Sequence, residues 1–125
     1  VMSFNSLKVL VCDDSILIRK KLKDFLEECG CSVLEALDGQ KAVDIYKEEK
    51  PDLVFMDIVM PVKSGIQATE EIIEFDKNAK VVIASSSGTK THFKQALEAG
   101  AYEFVQKPLD EAQIKDILTN YNKEV

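Results

Sequence analysis

The sequence predicts an α/β fold: a doubly wound, five-stranded parallel sheet with helices on both faces. Two observations support this class. Short apolar runs alternate five times with amphipathic stretches, and three of the runs are apolar almost throughout. Alternating strands and helices favour parallel pairing, and strands that are covered on both faces carry apolar residues on both sides. The 125 residues are enough for one domain with a hydrophobic core.

The predicted strands are the short apolar runs that alternate with the amphipathic stretches. The segments VLV, LVFM and VVIA are the clearest, because they show no alternation with polar residues and therefore fit strands that are buried on both faces. The strands are predicted at residues 7–12, 31–36, 52–57, 80–85 and 102–106.

The predicted helices are the stretches in which apolar residues recur at helical spacing. In the second helix, Ala42, Val43 and Tyr46 are expected to face inward. Gly30 suits the position just after the first helix, and Asp110 is a favourable N-cap for the last one. The apolar face of the first helix comprises Ile16, Ile18, Leu22, Phe25 and Leu26. The helices are predicted at residues 15–29, 39–50, 65–75, 89–100 and 110–121.

Charge and cysteine content narrow the possible environments. The net charge of -6 and the pI of about 4.8 oppose nonspecific binding to nucleic acid or to anionic membranes. No apolar stretch is long enough to cross a bilayer, and no secretory leader is visible. An odd number of cysteines predicts free thiols in a cytoplasmic protein. The CGC sequence at 29–31 is interpreted as a helix end and a strand start, because no second Cys/His pair completes a zinc site.

Polar residues occur where the predicted strands end. Because the carboxyl ends of parallel strands meet at one edge of the sheet, where ligands bind, we expect three carboxylates, a hydroxyl and an ammonium to converge there. Each residue alone would pass as a turn residue, a helix cap or a solvated charge, but these explanations do not account for the joint placement. The residues are Asp13, Asp14, Asp57, Ser85 and Lys107.

Asp57 interrupts the otherwise apolar run LVFMDIVM, so its charge needs compensation. Three neighbouring carboxylates repel one another unless a cation lies between them. A hard divalent ion such as Mg²⁺ prefers oxygen ligands of this kind, and Lys107 can pair with an anion beside the metal. The set therefore suits a phosphoryl group carried by an aspartate, because phosphoryl transfer depends mainly on positioning and charge neutralisation.

These features resemble the response regulator receiver domain. The resemblance is carried by VLVCDDS, DLVFMDIVMPVKSG, VVIASSSG and ALEAGAYEFVQKPL with their spacing, and it covers about residues 7–122. It implies a single receiver domain over residues 1–125 with a flavodoxin-like fold and the strand order 2-1-3-4-5. It also implies a monomeric phosphoacceptor signalling domain that catalyses only its own phosphorylation and dephosphorylation, and is not otherwise an enzyme.

The resemblance assigns roles to individual residues. Asp57 becomes the phosphoacceptor, and Asp14 and Asp57 become direct ligands of Mg²⁺. The backbone carbonyl of Val59 becomes the third protein ligand, while Asp13 acts chiefly through metal-bound water. Val59 has no polar side chain to orient water, so the sequence further suggests slow self-dephosphorylation.

The resemblance also implies a switch. Lys107 pairs with the phosphoryl group, and its bond to Pro108 is cis. Ser85 donates to the phosphoryl group and moves towards it, which leaves room for the ring of Phe104, three residues before the lysine. Phenylalanine replaces the tyrosine of many relatives, so the hydroxyl is missing. Phe93 either joins Phe104 on a partner-binding face or belongs to the helix core; both interpretations stay open.

The implied partners are a sensor histidine kinase, a downstream target and a phosphatase. Chemotaxis is the first expectation, with a flagellar switch protein as the target. A phosphorelay intermediate that passes its phosphate to a histidine phosphotransfer protein remains open, and so does a receiver fragment of a larger regulator. The sequence does not name the kinase.

Three other classes fit less well. An aspartate-nucleophile phosphatase of the haloacid dehalogenase class needs a second aspartate at the position of Val59. A flavin-binding module needs a phosphate-binding loop after the first strand, where CDDSIL places two negative charges. A degenerate receiver would lack acceptor-site residues, all of which are present.

Overall fold

Strands and helices alternate along the chain, as predicted. The computed structural model describes residue 4, residues 6–86 and residues 88–124, so both ends of the predicted domain 1–125 lie outside the described residues. The strands are β1 (Lys8–Cys12), β2 (Ser32–Ala36), β3 (Leu53–Asp57), β4 (Val81–Ser85) and β5 (Glu103–Gln106). The helices are α1 (Ile16–Glu28), α2 (Gly39–Glu49), α3 (Gly65–Phe75), α4 (Lys90–Ala99) and α5 (Glu111–Glu124).

All five strands belong to one parallel sheet in the order β2-β1-β3-β4-β5, which confirms the predicted topology. The pairing register aligns the carboxyl ends of β1, β3 and β4. Cys12 pairs with Met56, and Asp57 pairs with Ala84, so the residues that follow β1 and those that end β3 and β4 lie at the same edge.

Each face of the sheet has its own hydrophobic core, because successive residues of a strand point to opposite faces. Val54 and Met56 pack with buried residues of α2, α3 and α4. Leu53 and Phe55 pack with buried residues of α1 and α5. The predicted inward face of α2 is confirmed, since Ala42, Val43 and Tyr46 are all buried. The helices therefore cover both faces, as the apolar strands require.

The first turn of α1 differs from the prediction. Ile16 and Ile18, expected to face inward, are 74% and 44% exposed, whereas Phe25 and Leu26 are buried. Ile16 precedes Leu22 by six residues, which places it about 120° away from the buried stripe at 3.6 residues per turn. Ser15 is the N-cap, and its hydroxyl accepts from the amide of Ile18. The first turn of α1 thus presents apolar side chains to solvent.

Two predicted helix caps, Gly30 and Asp110, are confirmed, whereas α5 ends three residues beyond the predicted position, at Glu124. Gly30 has φ 96°, and the amides of Gly30 and Cys31 donate to the carbonyls of Glu27 and Leu26, which is a Schellman motif. The Asp110 carboxylate accepts from the amide of Gln113 at 2.7 Å, so it caps α5 as expected. All three cysteines are buried free thiols.

The loop between β3 and α3 is held by two close backbone contacts. A Cβ atom on Gly65 would lie 1.8 Å from the carbonyl oxygen of Asp57, and one on Gly39 would lie 2.0 Å from that of Lys63. Both distances are far below any real carbon–oxygen contact, so only glycine fits at either position. The loop that follows the candidate acceptor is therefore packed against the N-termini of α2 and α3.

Within this loop, Val62 occupies a strained conformation. Its φ is 71°, and the amide of Lys63 donates to the carbonyl of Pro61 at 2.8 Å across it. A three-residue turn with a positive central φ is rare and strained, and a β-branched residue is a poor occupant of that region. The side chain is 82% exposed, so packing contributes little in return.

We expect Val62→Asn to raise the free energy of unfolding by about 1 kcal/mol, because asparagine tolerates positive φ better than valine. Urea unfolding measures the change. Val59→Asn is the matched control, since Val59 is an exposed valine of the same loop without a positive φ, and it should leave stability nearly unchanged. A loss of stability in Val62→Asn would contradict this account of the strain.

Candidate functional site

The predicted carboxylates meet at the carboxyl edge of the sheet. Asp13 and Asp14 follow β1, and Asp57 is the last residue of β3, the strand next to β1. One carboxylate oxygen from each residue lies within 4.8 Å of the others. Asp13 is 4% exposed, whereas Asp14 is open to solvent. The structure thus brings together three acids from two distant parts of the chain.

Several hydrogen bonds fix the loop that carries Asp13 and Asp14. The amide of Asp13 donates to the carbonyl of Ala36, and the amide of Ser15 donates to the Asp13 Oδ1 atom at 2.9 Å. Arg19 donates from Nη1 to the Asp13 carbonyl at 2.7 Å and from Nε to Glu35 at 2.9 Å. Arg19 was not predicted from the sequence. Its only signal was a basic residue one turn into a helix that follows two acids.

Lys107 connects the acids on β1 and β3 to the end of β5. Its Nζ atom lies 2.5 Å from Asp13 Oδ2 and 3.1 Å from Asp57 Oδ1. Its amide donates to the carbonyl of Ser85 at 2.8 Å, which ties the same residue to the end of β4. The bond between Lys107 and Pro108 is cis, as the resemblance implied. One lysine therefore contacts three strand ends.

Burial and charge act in opposite directions on these groups. Burial raises the pKa of the Asp57 carboxyl above its ordinary value, although the Lys107 ammonium partly offsets the shift. Burial by itself lowers the pKa of Lys107, but the hydrogen bond with Asp13 and the charges of Asp57 and Asp13 outweigh it and raise that pKa. The Lys107 ammonium is therefore stabilised in its charged form, whereas partial desolvation disfavours the charged form of the Asp57 carboxylate.

The donor set fits a hard divalent cation. Three carboxylates face one ammonium, so the cluster carries excess negative charge when all its groups are ionised. Oxygen atoms from Asp13, Asp14 and Asp57 are close enough to share one ion, and oxygen is the ligand type that Mg²⁺ prefers. These three residues are therefore the ones that could hold the metal. The role of the Val59 carbonyl as a further ligand remains a prediction.

The predicted switch residues lie beside this cluster. Ser85 is the last residue of β4, one position beyond the partner of Asp57, and is buried. Phe104 on β5 pairs with Ile83 and is partly buried in the core under α2, α3 and α4. Phe93 is 48% exposed, and its ring meets that of Phe104 edge to face at 5.6 Å. The two rings thus form one contact between α4 and β5, with Phe93 at the surface.

The fold and this site define a class of signalling domains that carry a phosphoryl group on an aspartate and are not otherwise enzymes. The chain belongs to the family of response regulator receiver domains, which it matches over residues 9–119. This agrees with the resemblance drawn from the motifs at the strand ends.

Individual relatives are similar over nearly the whole chain. Chemotaxis protein CheY of Thermotoga maritima is 40% identical over 117 residues, which are 93% of this chain and 98% of that protein. A chain of the CheX-CheY-BeF3-Mg+2 complex from Borrelia burgdorferi superimposes with a TM-score of 0.86 and 37% identity, covering 91% of this chain and 87% of the other.

A second similar structure comes from a eukaryote. It is the complex of the Saccharomyces cerevisiae histidine phosphotransfer signaling protein Ypd1 with the receiver domain of the response regulator Ssk1. The TM-score is 0.88 and the identity 28%, over 94% of this chain and 90% of the other.

In the part of the chain that the structure describes, no helix has the length and apolar character that crossing a bilayer requires.

We expect Asp57→Asn to stabilise the metal-free protein by about 1 kcal/mol, because it removes a desolvated charge and its repulsion with Asp13. Lys107 keeps its pairing with Asp13 in this variant. Urea unfolding in the presence of a chelator measures the effect, and Asp44→Asn on the exposed side of α2 is the control.

With Mg²⁺ present, wild type should become more stable than Asp57→Asn. A ligand that binds only the folded state stabilises it in proportion to the logarithm of its concentration, so wild type should gain stability with Mg²⁺ and Asp57→Asn should gain much less. Equal gains in both proteins would argue that the metal binds elsewhere.

Proposed function

We propose that this chain is a phosphorylation-controlled response regulator that accepts a phosphoryl group on Asp57 from a sensor histidine kinase. The observation that carries the proposal is the Lys107 ammonium, which contacts Asp13 and Asp57 at once beside a third carboxylate. Such an arrangement neutralises charge around one partly buried acid, which is the main requirement of phosphoryl transfer.

Each residue of the site has a defined task in this proposal. An oxygen of Asp57 forms the new bond to phosphorus as the bond to the donor histidine nitrogen breaks. Lys107 pairs with the oxygens of the transferring group, and the Ser85 hydroxyl donates to one of them. Asp14, Asp57 and the Val59 carbonyl would hold Mg²⁺ directly and Asp13 chiefly through metal-bound water, and the ion would supply additional charge neutralisation.

Phosphorylation then changes which partner the protein binds. The added charge and acceptor oxygens at Asp57 favour a conformation in which Ser85 and Phe104 have moved, so the population of the surface formed by Phe93 and Phe104 shifts. We propose chemotaxis as the setting, with a flagellar switch protein as target and a phosphatase as antagonist. The similarity to CheY proteins, one of them in complex with CheX, supports this choice.

A phosphorelay intermediate is the second candidate. It is favoured by the similarity to a receiver domain bound to a histidine phosphotransfer protein. In that case Asp57 would pass its phosphoryl group on to a histidine of a second protein. In either setting we propose that the chain acts as a single receiver domain over residues 1–125, monomeric and cytoplasmic; a receiver fragment of a larger regulator is the remaining alternative.

Incubation with Mg²⁺ and acetyl phosphate should add one phosphoryl group, because the site already holds the acceptor and the neutralising lysine together. Intact-mass spectrometry measures the adduct. It should be absent in Asp57→Asn and suppressed by a chelator, whereas Asp44→Asn should react like wild type. An adduct that persists in Asp57→Asn would refute the assigned acceptor.

Capture experiments with the phosphorylated protein separate the two settings. Chemotaxis predicts retention on a flagellar switch protein without loss of the phosphoryl group. A relay predicts that a histidine phosphotransfer protein removes the phosphoryl group and becomes labelled itself.

We expect the phosphorylated protein to decay slowly, and Val59→Asn to speed decay several-fold. The Val59 side chain is 73% exposed and offers no group to orient an attacking water, whereas an amide could do so. The rate of loss of the adduct measures this. Val62→Asn, the same substitution three residues later, is the control and should leave the rate unchanged. Equal lifetimes of wild type and Val59→Asn would count against the idea.

A further inference from the structure

An apolar chamber of about 340 Å³ adjoins the acidic site. It lies between α1, α5 and the sheet, and most of its wall is made of aliphatic and aromatic side chains. Its polar end is formed by Asp13, Asp57 and Lys107, which are the residues of the site itself. The apolar wall includes Ile18, Leu22, Phe25, Phe55, Leu109 and Ile114.

We propose that this chamber binds the leaving group of a small phosphodonor, so that the protein prefers acyl phosphates with an apolar acyl group over acetyl phosphate. The inference rests on the proposed function, because it concerns the donor that phosphorylates Asp57. It adds a substrate class to that function, namely aromatic or branched acyl phosphates.

The size and polarity of the chamber support this class. A cavity of about 150 Å³ with apolar walls can hold a benzene molecule, so the observed volume admits one aromatic ring with room for its carboxyl group. Small-molecule sites typically combine apolar walls with a few polar groups that fix orientation. In the chamber Asp13, Asp57 and Lys107 form one polar cluster, which would orient the phosphoryl group towards Asp57 and the acyl group towards the apolar wall.

The charges agree with this orientation. Lys107 at the polar end can pair with a phosphoryl oxygen. Lys21, an exposed residue that also lines the chamber, can pair with the carboxylate that departs. The carboxylates of Asp13, Asp57 and Glu111 also line the chamber, so an anionic donor would have to enter with Mg²⁺ bound at the acidic end.

The transfer step is balanced without a further reactant. An Asp57 carboxylate oxygen forms a bond to phosphorus, and the bond between phosphorus and the acyl oxygen breaks. The electron pair of that bond leaves with the acyl oxygen, so the products are aspartyl phosphate and a free carboxylate. No oxidant, reductant or additional proton is needed at neutral pH.

The rate test compares benzoyl phosphate with acetyl phosphate at equal concentrations and with Mg²⁺. After correction for the spontaneous hydrolysis of each donor, we expect benzoyl phosphate to react about tenfold faster, because burial of a phenyl ring is worth at least one factor of ten. Leu22→Trp should fill the chamber and bring the ratio of the benzoyl phosphate rate to the acetyl phosphate rate close to one. Leu97→Trp, on exposed α4, should keep the preference.

Ile18→Trp serves as a second chamber variant if Leu22→Trp does not fold, since Ile18 is already 44% exposed. Equal corrected rates for the two donors in wild type would overturn the proposal, and so would an unchanged preference in the chamber variant. Failure of both donors to phosphorylate wild type would instead count against the proposed function.

A binding test does not depend on phosphoryl transfer. Phenylphosphonate and methylphosphonate carry the same anionic group, but their carbon–phosphorus bond is not cleaved, so no phosphoryl group is transferred. NMR titration measures the dissociation constant of each. We expect wild type and Leu97→Trp to bind phenylphosphonate about tenfold more tightly than methylphosphonate. Leu22→Trp should bind the two ligands with similar affinity. Equal affinities in wild type would refute the chamber as a site for the apolar group.

Discussion

The contact on which the site depends is that of the Lys107 ammonium with two carboxylates from different strands. Asp13 follows β1 and Asp57 ends β3, so without a cation their charges would push the two strand ends apart. A partly buried ammonium attracts both acids more strongly than an exposed one would, because less water screens the interaction. The same group is tied through its amide to Ser85, and thereby to β4. One side chain and its backbone thus hold three strand ends at the distance that the chemistry requires.

This arrangement leaves the site with a net negative charge. Lys107 offsets only part of the negative charge of the three acids, and burial raises the pKa of Asp57 in addition. A fully compensated cluster would be more stable but would have little affinity for either a divalent ion or a phosphoryl group. Arg19 contributes without entering the site, since it holds the Asp13 carbonyl and pairs with Glu35 on β2. The excess charge is therefore kept in place by contacts with the surrounding framework.

The alternation of strands and helices was sufficient to predict the strand ends, and with them the closeness of Asp13, Asp57 and Lys107. The positions of these residues follow from the sheet topology, which the alternation of strands and helices in the sequence predicts. Arg19 was not predicted, because its partner is a backbone carbonyl whose position depends on the folded loop. The exposure of Ile16 depends on where α1 begins relative to the sheet, and the positive φ of Val62 depends on the close packing of its loop. The chamber between α1 and α5 likewise arises from how two helices meet, which no local pattern encodes.

The edge-to-face contact of Phe93 and Phe104 has a thermodynamic consequence. Neither ring carries a polar group, so separating or repacking them exchanges apolar contact for water and little else. Hydration of apolar surface has a large heat capacity, and the two rings carry no charge for salt to screen. In the proposed switch, the contribution of these two rings would therefore depend on temperature more than on ionic strength, whereas the charge added at Asp57 would respond to both.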